Sequence, residues 1–98
     1  MRIDAAVLLR WQHQDAAVVV AAIADHAKED GTFRPTKNPA TSRWHVTVSG
    51  SEFELLLTGT KFWDTRARTG GGGAVDLAMH LGGMDFKRAT LWLQDLRL

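Results

Sequence analysis

The stretch RWHVTVSGSEFELLLTG, residues 43–59, constrains what this chain can fold into more than any other. Trp44, Val46 and Val48 alternate with His45 and Thr47, so apolar side chains share one face of an extended strand and polar ones the other. The next run repeats the pattern, with Phe53, Leu55 and Leu57 turned inward and Ser49-Gly50-Ser51 supplying the hairpin turn. After Gly59, the run TKFWDTR reads as a third short strand. Together these predict a three-stranded antiparallel meander. A sheet with one apolar face needs a second layer to cover it, and the flanking sequence reads as helix.

Asp4 caps a first helix that carries Val7, Leu8 and Trp11 on one side. QHQD interrupts the apolar pattern, and a second helix is expected over residues 15–28, stopped by EDG at 29–31. Its alanines favour helix, whereas Val18-Val19-Val20 is a β-branched run that opposes it. With no proline or glycine between them, the two segments also fit one bent helix. FRPTKNPATS, residues 33–42, holds both prolines and reads as a loop. Beyond the glycine run at 70–73, Ala74, Leu77, Ala78 and Leu81 fall at i, i+3, i+4 and i+7 on one helical face. Gly82-Gly83 ends that helix, and Asp85 caps another whose Phe86, Ala89 and Leu93 share a face. The expected architecture is one α+β module spanning residues 1–98: a small three-stranded antiparallel sheet flanked by N-terminal and C-terminal helices.

Composition narrows the chemistry. The chain of 98 residues has no cysteine, which excludes disulfides and thiolate zinc sites. The longest apolar run, AAVVVAAIA at 16–24, is too short for a membrane span, and the N-terminus lacks the pattern of a signal peptide. A cytoplasmic, membrane-independent domain is the expectation. The net charge of +1 hides an asymmetry. Residues 1–33 hold three bases against five acids, whereas residues 34–68 hold six bases against three acids. A basic middle suits nucleic acid, and equally suits an ordinary solvated surface.

Few residues form a pattern that supports catalysis. His13, His26, His45 and His80 are scattered, with no i, i+3 or i, i+4 ligand pair. Ser42, Ser49 and Ser51 sit in or beside turns without a nucleophile elbow, and the carboxylates form no paired motif. Asp76 falls in the first turn of its helix, where an acid complements the dipole. The run Gly70-Gly71-Gly72-Gly73 lacks the Gly-Lys-Ser/Thr of a Walker loop and the G-x-G-x-x-G of a dinucleotide site. It fits either a strand-to-helix connector or an anion cradle with Arg66 and Arg68 as countercharge. Phe62 and Trp63 are adjacent on a strand and so point to opposite faces, leaving one of them free to stack a base.

The segment KFWDTRARTGGGGAVDLAMHLGGMDFKRATLWL, residues 61–93, resembles the second half of the CHC-type zinc-binding domain of bacterial DNA primases. It is most similar to the versions encoded by plasmids, phages and other mobile elements, usually N-terminal to a Toprim catalytic domain. Gly72-Gly73-Ala74-Val75-Asp76-Leu77-Ala78-Met79-His80-Leu81 follows the family pattern GGxAIDLVMHL, and Gly83, Phe86, Ala89, Trp92 and Leu93 follow its tail. The resemblance covers about a third of the chain strongly, and the strands before it match the family's small sheet in order and length. The family's zinc ligands are cysteines and a histidine in loops flanking the sheet; here every cysteine is missing. The resemblance therefore implies a zinc-ribbon-like primase fold held without metal or other cofactor.

What it implies for function is a non-catalytic accessory domain that binds single-stranded template DNA and works with a separate primase, polymerase or helicase. Arg34, Lys37 and Arg43 in the loop and first strand, and Lys61, Arg66 and Arg68 near the glycines, are the anticipated phosphate contacts. Phe62 or Trp63 is the anticipated stacking residue, and the backbone of Gly70, Gly71 and Gly72 lies beside them. A different class of role is a protein-interaction module without DNA contact. Exposed Met79 or Met84 beside Leu91 and Leu96 would favour it, whereas a basic stripe joining Arg43, Lys61, Arg66 and Arg68 would favour DNA.

Overall fold

The computed structural model describes residues 3–98. Its order is α1 (Ala5–Gln12), α2 (Ala16–Ile23), β1 (His26–Glu29), β2 (Ser42–Val48), β3 (Ser51–Thr58), β4 (Lys61–Asp64), β5 (Thr69–Gly72), α3 (Ala74–Gly82) and α4 (Phe86–Asp95). The five strands form one antiparallel sheet in the order β1-β2-β3-β4-β5. The α+β composition stands, but the sheet has five strands where three were expected. The hairpin, β4 and the two C-terminal helices lie where the sequence placed them.

The two added strands share one cause: their side chains carry no alternating signal, and β1 in addition pairs with a strand well beyond its own neighbourhood in the chain. The sequence predicts a helix over 15–28, which takes in residues 26–28 of β1, with Glu29 in its stop. Instead α2 ends at Ile23, Ala24 adopts an extended backbone, and β1 satisfies the free edge of β2. Asp25 fastens the junction, its N–H donating to the Thr47 carbonyl (2.9 Å) and its carboxylate accepting from the Ser49 amide (2.7 Å). Tertiary pairing outweighs helix propensity here. The glycine run, expected as a strand-to-helix connector or an anion cradle, is strand β5 up to Gly72, paired with all of β4. Glycine has no side chain to alternate, so periodicity is silent there.

Space accounts for Gly70 and Gly71, and backbone conformation for Gly73. A Cβ on Gly70 would stand 2.4 Å from the Phe62 carbonyl oxygen and 2.9 Å from the Trp63 ring. One on Gly71 would stand 3.0 Å from the Asp76 carboxylate and 3.2 Å from the Phe62 ring. Gly73 joins strand to helix at φ 88°, a conformation that side-chain-bearing residues rarely adopt.

Caps set the helix boundaries. The carboxylates of Asp4, Asp15 and Asp85 accept from the amides of Ala6, Ala17 and Arg88. The Asp15 cap resolves α1 and α2 as two helices. All four helices contribute to a core that closes one face of the sheet: Trp11, Val19, Val20, Leu77, Ala78 and Leu93 pack with Val46, Val48, Leu55, Leu57 and Phe62. Among the described residues, no helix lies on the opposite face. Among the described residues, no helix is long and apolar enough to cross a membrane.

Candidate functional site

Strand parity decides which side chains reach the uncovered face. The cross-strand pairs Leu57–Phe62 and Leu55–Asp64 face the helices, so Leu56–Trp63 and Thr58–Lys61 face away from them. Phe62 is 6% exposed and its ring centroid lies 5.4 Å from that of His80. Trp63 is 46% exposed on the outer face, above Gly70. Of the two aromatic candidates, Trp63 is the one available for stacking.

Asp30 builds a wall beside this platform. Its carboxylate accepts from the Thr32 amide (2.9 Å) and hydroxyl (2.6 Å), and from Arg43 Nε (2.9 Å) and Nη2. The Thr32 hydroxyl and the Arg43 guanidinium hold the Asp30 carboxyl well below the usual carboxylate range. Arg43 is held protonated in turn, and its guanidinium lies 5.3 Å from the centre of the Phe33 ring. Glu54 Oε1 stands 3.6 Å from the other side of that guanidinium. At the far end of the loop, the Thr41 and Thr58 hydroxyls are hydrogen-bonded at 2.7 Å. Between this loop and the sheet opens a cavity of about 430 Å³ whose lining includes Phe33, Pro35, Lys37, Leu56, Lys61 and Trp63.

The anticipated contacts therefore divide. Lys37, Lys61 and Trp63 line the cavity; Phe62 also borders it, with its side chain buried on the helical face. Arg66 and Arg68 lie exposed in the β4–β5 turn, at the other end of β4 from Lys61, about 10 Å along the strand. Among the described residues, none of Lys37, Lys61, Arg66 and Arg68 pairs with a carboxylate. Arg43 is committed to Asp30 and Glu54, so the basic stripe does not run through it. Arg34 turns back on its own loop, donating to the carbonyls of Gly31 (3.0 Å) and Phe33 (3.1 Å). Gly70 and Gly72 face outward with β5, and Gly71 faces the helices.

Asp64 was not among the sequence candidates, yet it shapes the arginine turn. It is 3% exposed, and its Oδ1 accepts from the amides of Arg66 (2.9 Å) and Ala67 (3.0 Å). His80 Nε2 donates to its Oδ2 at 2.6 Å. Burial raises the Asp64 carboxyl, but the Ala67 amide, His80 and the Arg66 amide outweigh it and leave the group below its ordinary value. The signal in the sequence was parity: Asp64 lies two residues after Phe62 and so shares its buried face.

The residues do not fit a zinc site. Asp30 with His45 at 3.8 Å, and Asp64 with His80, are two pairs without a third ligand, and the chain has no thiolate. Among the described residues, no group of three or more histidines and carboxylates is placed to hold a metal ion.

No protein-family model matches the chain. No solved structure matches it either. A curated protein, described as a "65 kDa protein" of Zymomonas mobilis subsp. mobilis, is 49% identical over 43 residues. That stretch is 44% of this chain and 7% of the length of the Zymomonas protein, so the likeness spans a small part of that protein.

Proposed function

We propose that this domain binds single-stranded DNA on the outer face of its sheet, as a non-catalytic accessory of a primase-type replication system. Trp63 carries the reading: an indole lies exposed on the sheet face opposite the helices, with cations at both ends of its strand that pair with no carboxylate among the described residues. Such a face meets what single strands need, a stacking platform with flanking positive charge. The primase resemblance over residues 61–93 supports the same role and supplies the partner, a Toprim-type primase, polymerase or helicase of a mobile element acting in the cytoplasm. The catalysis belongs to that partner.

A second reading, a protein-docking module, draws on the helical layer. There Leu9 on α1, Val18 on α2, and Phe86 and Leu91 on α4 are exposed. The methionines that would have strengthened it, Met79 and Met84, are half-buried against the core.

Anisotropy of labelled single-stranded oligonucleotides over a salt series separates the two. Lys37, Lys61, Arg66 and Arg68 meeting about four phosphates gives a log–log salt slope of about −3. Arg66→Ala/Arg68→Ala is expected to weaken binding and to halve that slope. Absence of binding at low salt removes DNA as a direct ligand and leaves the docking reading.

A further inference from the structure

We propose that the cavity between the 33–41 loop and the outer sheet face seats one unpaired nucleotide of the bound strand, base inward and phosphate at Lys37 and Lys61. This rests on the reading of the outer face as a DNA interface and adds to it a defined pocket for a single base.

Three observations carry it. The first is size: about 430 Å³ falls within the range of small-molecule sites, about 300–1,000 Å³. The second is lining chemistry. Leu56 and Trp63 form an apolar floor, Phe33 and Pro35 belong to the wall, and the charged side chains that line it are two ammonium groups with no carboxylate. That combination suits a planar ring joined to an anionic group. Asn38 also lines the cavity; its carbonyl oxygen is occupied by the Ala40 amide, which leaves its NH₂ to donate to the edge of a base. The third is preorganisation. The wall is tied at one end by Asp30–Arg43 under Phe33 and at the other by the Thr41–Thr58 hydroxyl pair, so the pocket exists before a ligand enters.

The exposed indole at the cavity's edge relates pocket to platform. Trp63 both lines the cavity and stands on the open face, so a strand tracking from the arginine turn toward Lys61 passes it before reaching the pocket. One base stacks on the platform while a neighbouring one enters.

The test compares an eight-nucleotide oligo(dT) with a fully abasic strand of equal length, on the full chain and on Leu56→Trp. Leu56 faces outward, so the larger ring fills the cavity without entering the core; a thermal melt checks that the variant folds. The expected result is about tenfold weaker binding of oligo(dT) by Leu56→Trp, with the abasic strand bound equally by both proteins. Lys37→Ala, on an exposed loop, serves as the second variant and is expected to lower the salt slope by about one phosphate. If Leu56→Trp binds oligo(dT) as tightly as the parent, or weakens both strands alike, the pocket does not seat a base and the DNA interface itself still stands. If the parent protein binds neither strand at low salt, the interface reading fails and the pocket proposal with it.

Discussion

The two faces of this sheet are made from the same few residues in alternation, and they have opposite destinies. Leu55 and Leu57 are closed under helices, whereas Leu56 between them is part of an open floor. Phe62 is buried against His80, whereas its neighbour Trp63 stands in solvent. Residue type does not distinguish the pairs; position on the pleat does. An apolar or aromatic side chain is informative about function when parity sends it to the face opposite the helices.

The largest expected effect breaks the comparison at its sharpest point. Phe62→Ala should destabilise the fold by about 4 kcal/mol in urea unfolding. Trp63→Ala should cost under about 1 kcal/mol while weakening single-stranded DNA binding about tenfold. Equal stability losses would mean the faces are not distinct. The leucine run repeats the contrast with smaller side chains: Leu55→Ala about 3 kcal/mol, Leu56→Ala under about 1 kcal/mol, by the same measurement.

Asp64 sharpens the inner face electrostatically. Its carboxyl is held below the ordinary value, so its stabilising contribution is full above about pH 4 and is lost as pH falls through the folded value. Asp64→Asn should therefore be less stable than the parent at pH 7, by about 2 kcal/mol, with the gap closing at acid pH. A gap that widens on acidification would reverse the sign and refute the assignment.

The smallest effects separate the glycines. Gly70→Ala puts a Cβ against the Phe62 carbonyl and the Trp63 ring, and should cost about 1–2 kcal/mol and shift the indole resonance of Trp63. Gly72→Ala meets only Lys61 Cγ at 3.7 Å, and should change stability by under about 0.5 kcal/mol. Matching losses at both positions would mean that close approach does not explain the run.

The hairpin, the helix caps and the outward–inward split of Phe62 and Trp63 were legible in the sequence because each depends on neighbours within a few residues. Strand β1 was not. HAKE is four residues with no alternation to read, and its partner lies about twenty residues away. Strand β5 was hidden because glycine shows neither face. The cavity was hidden for a related reason: its wall is fixed by Asp30–Arg43 and Thr41–Thr58, contacts between side chains thirteen and seventeen positions apart. That pairing also explains why Arg43, plausible as a phosphate ligand by charge alone, is already neutralised, and why Arg34 serves its own loop.

The central claim is that single-stranded DNA meets the outer face at Trp63, and the four tryptophan indoles test it directly. Trp11 is buried, Trp44 and Trp92 are half-buried against the core, and Trp63 alone of them stands exposed on the open face. In ¹⁵N-resolved NMR with saturating oligo(dT), the account predicts that the Trp63 indole N–H shifts strongly while that of Trp11 stays in place. A Trp63 indole that does not move while DNA is bound, with shifts confined to the helical face around Leu9 and Phe86, would contradict it.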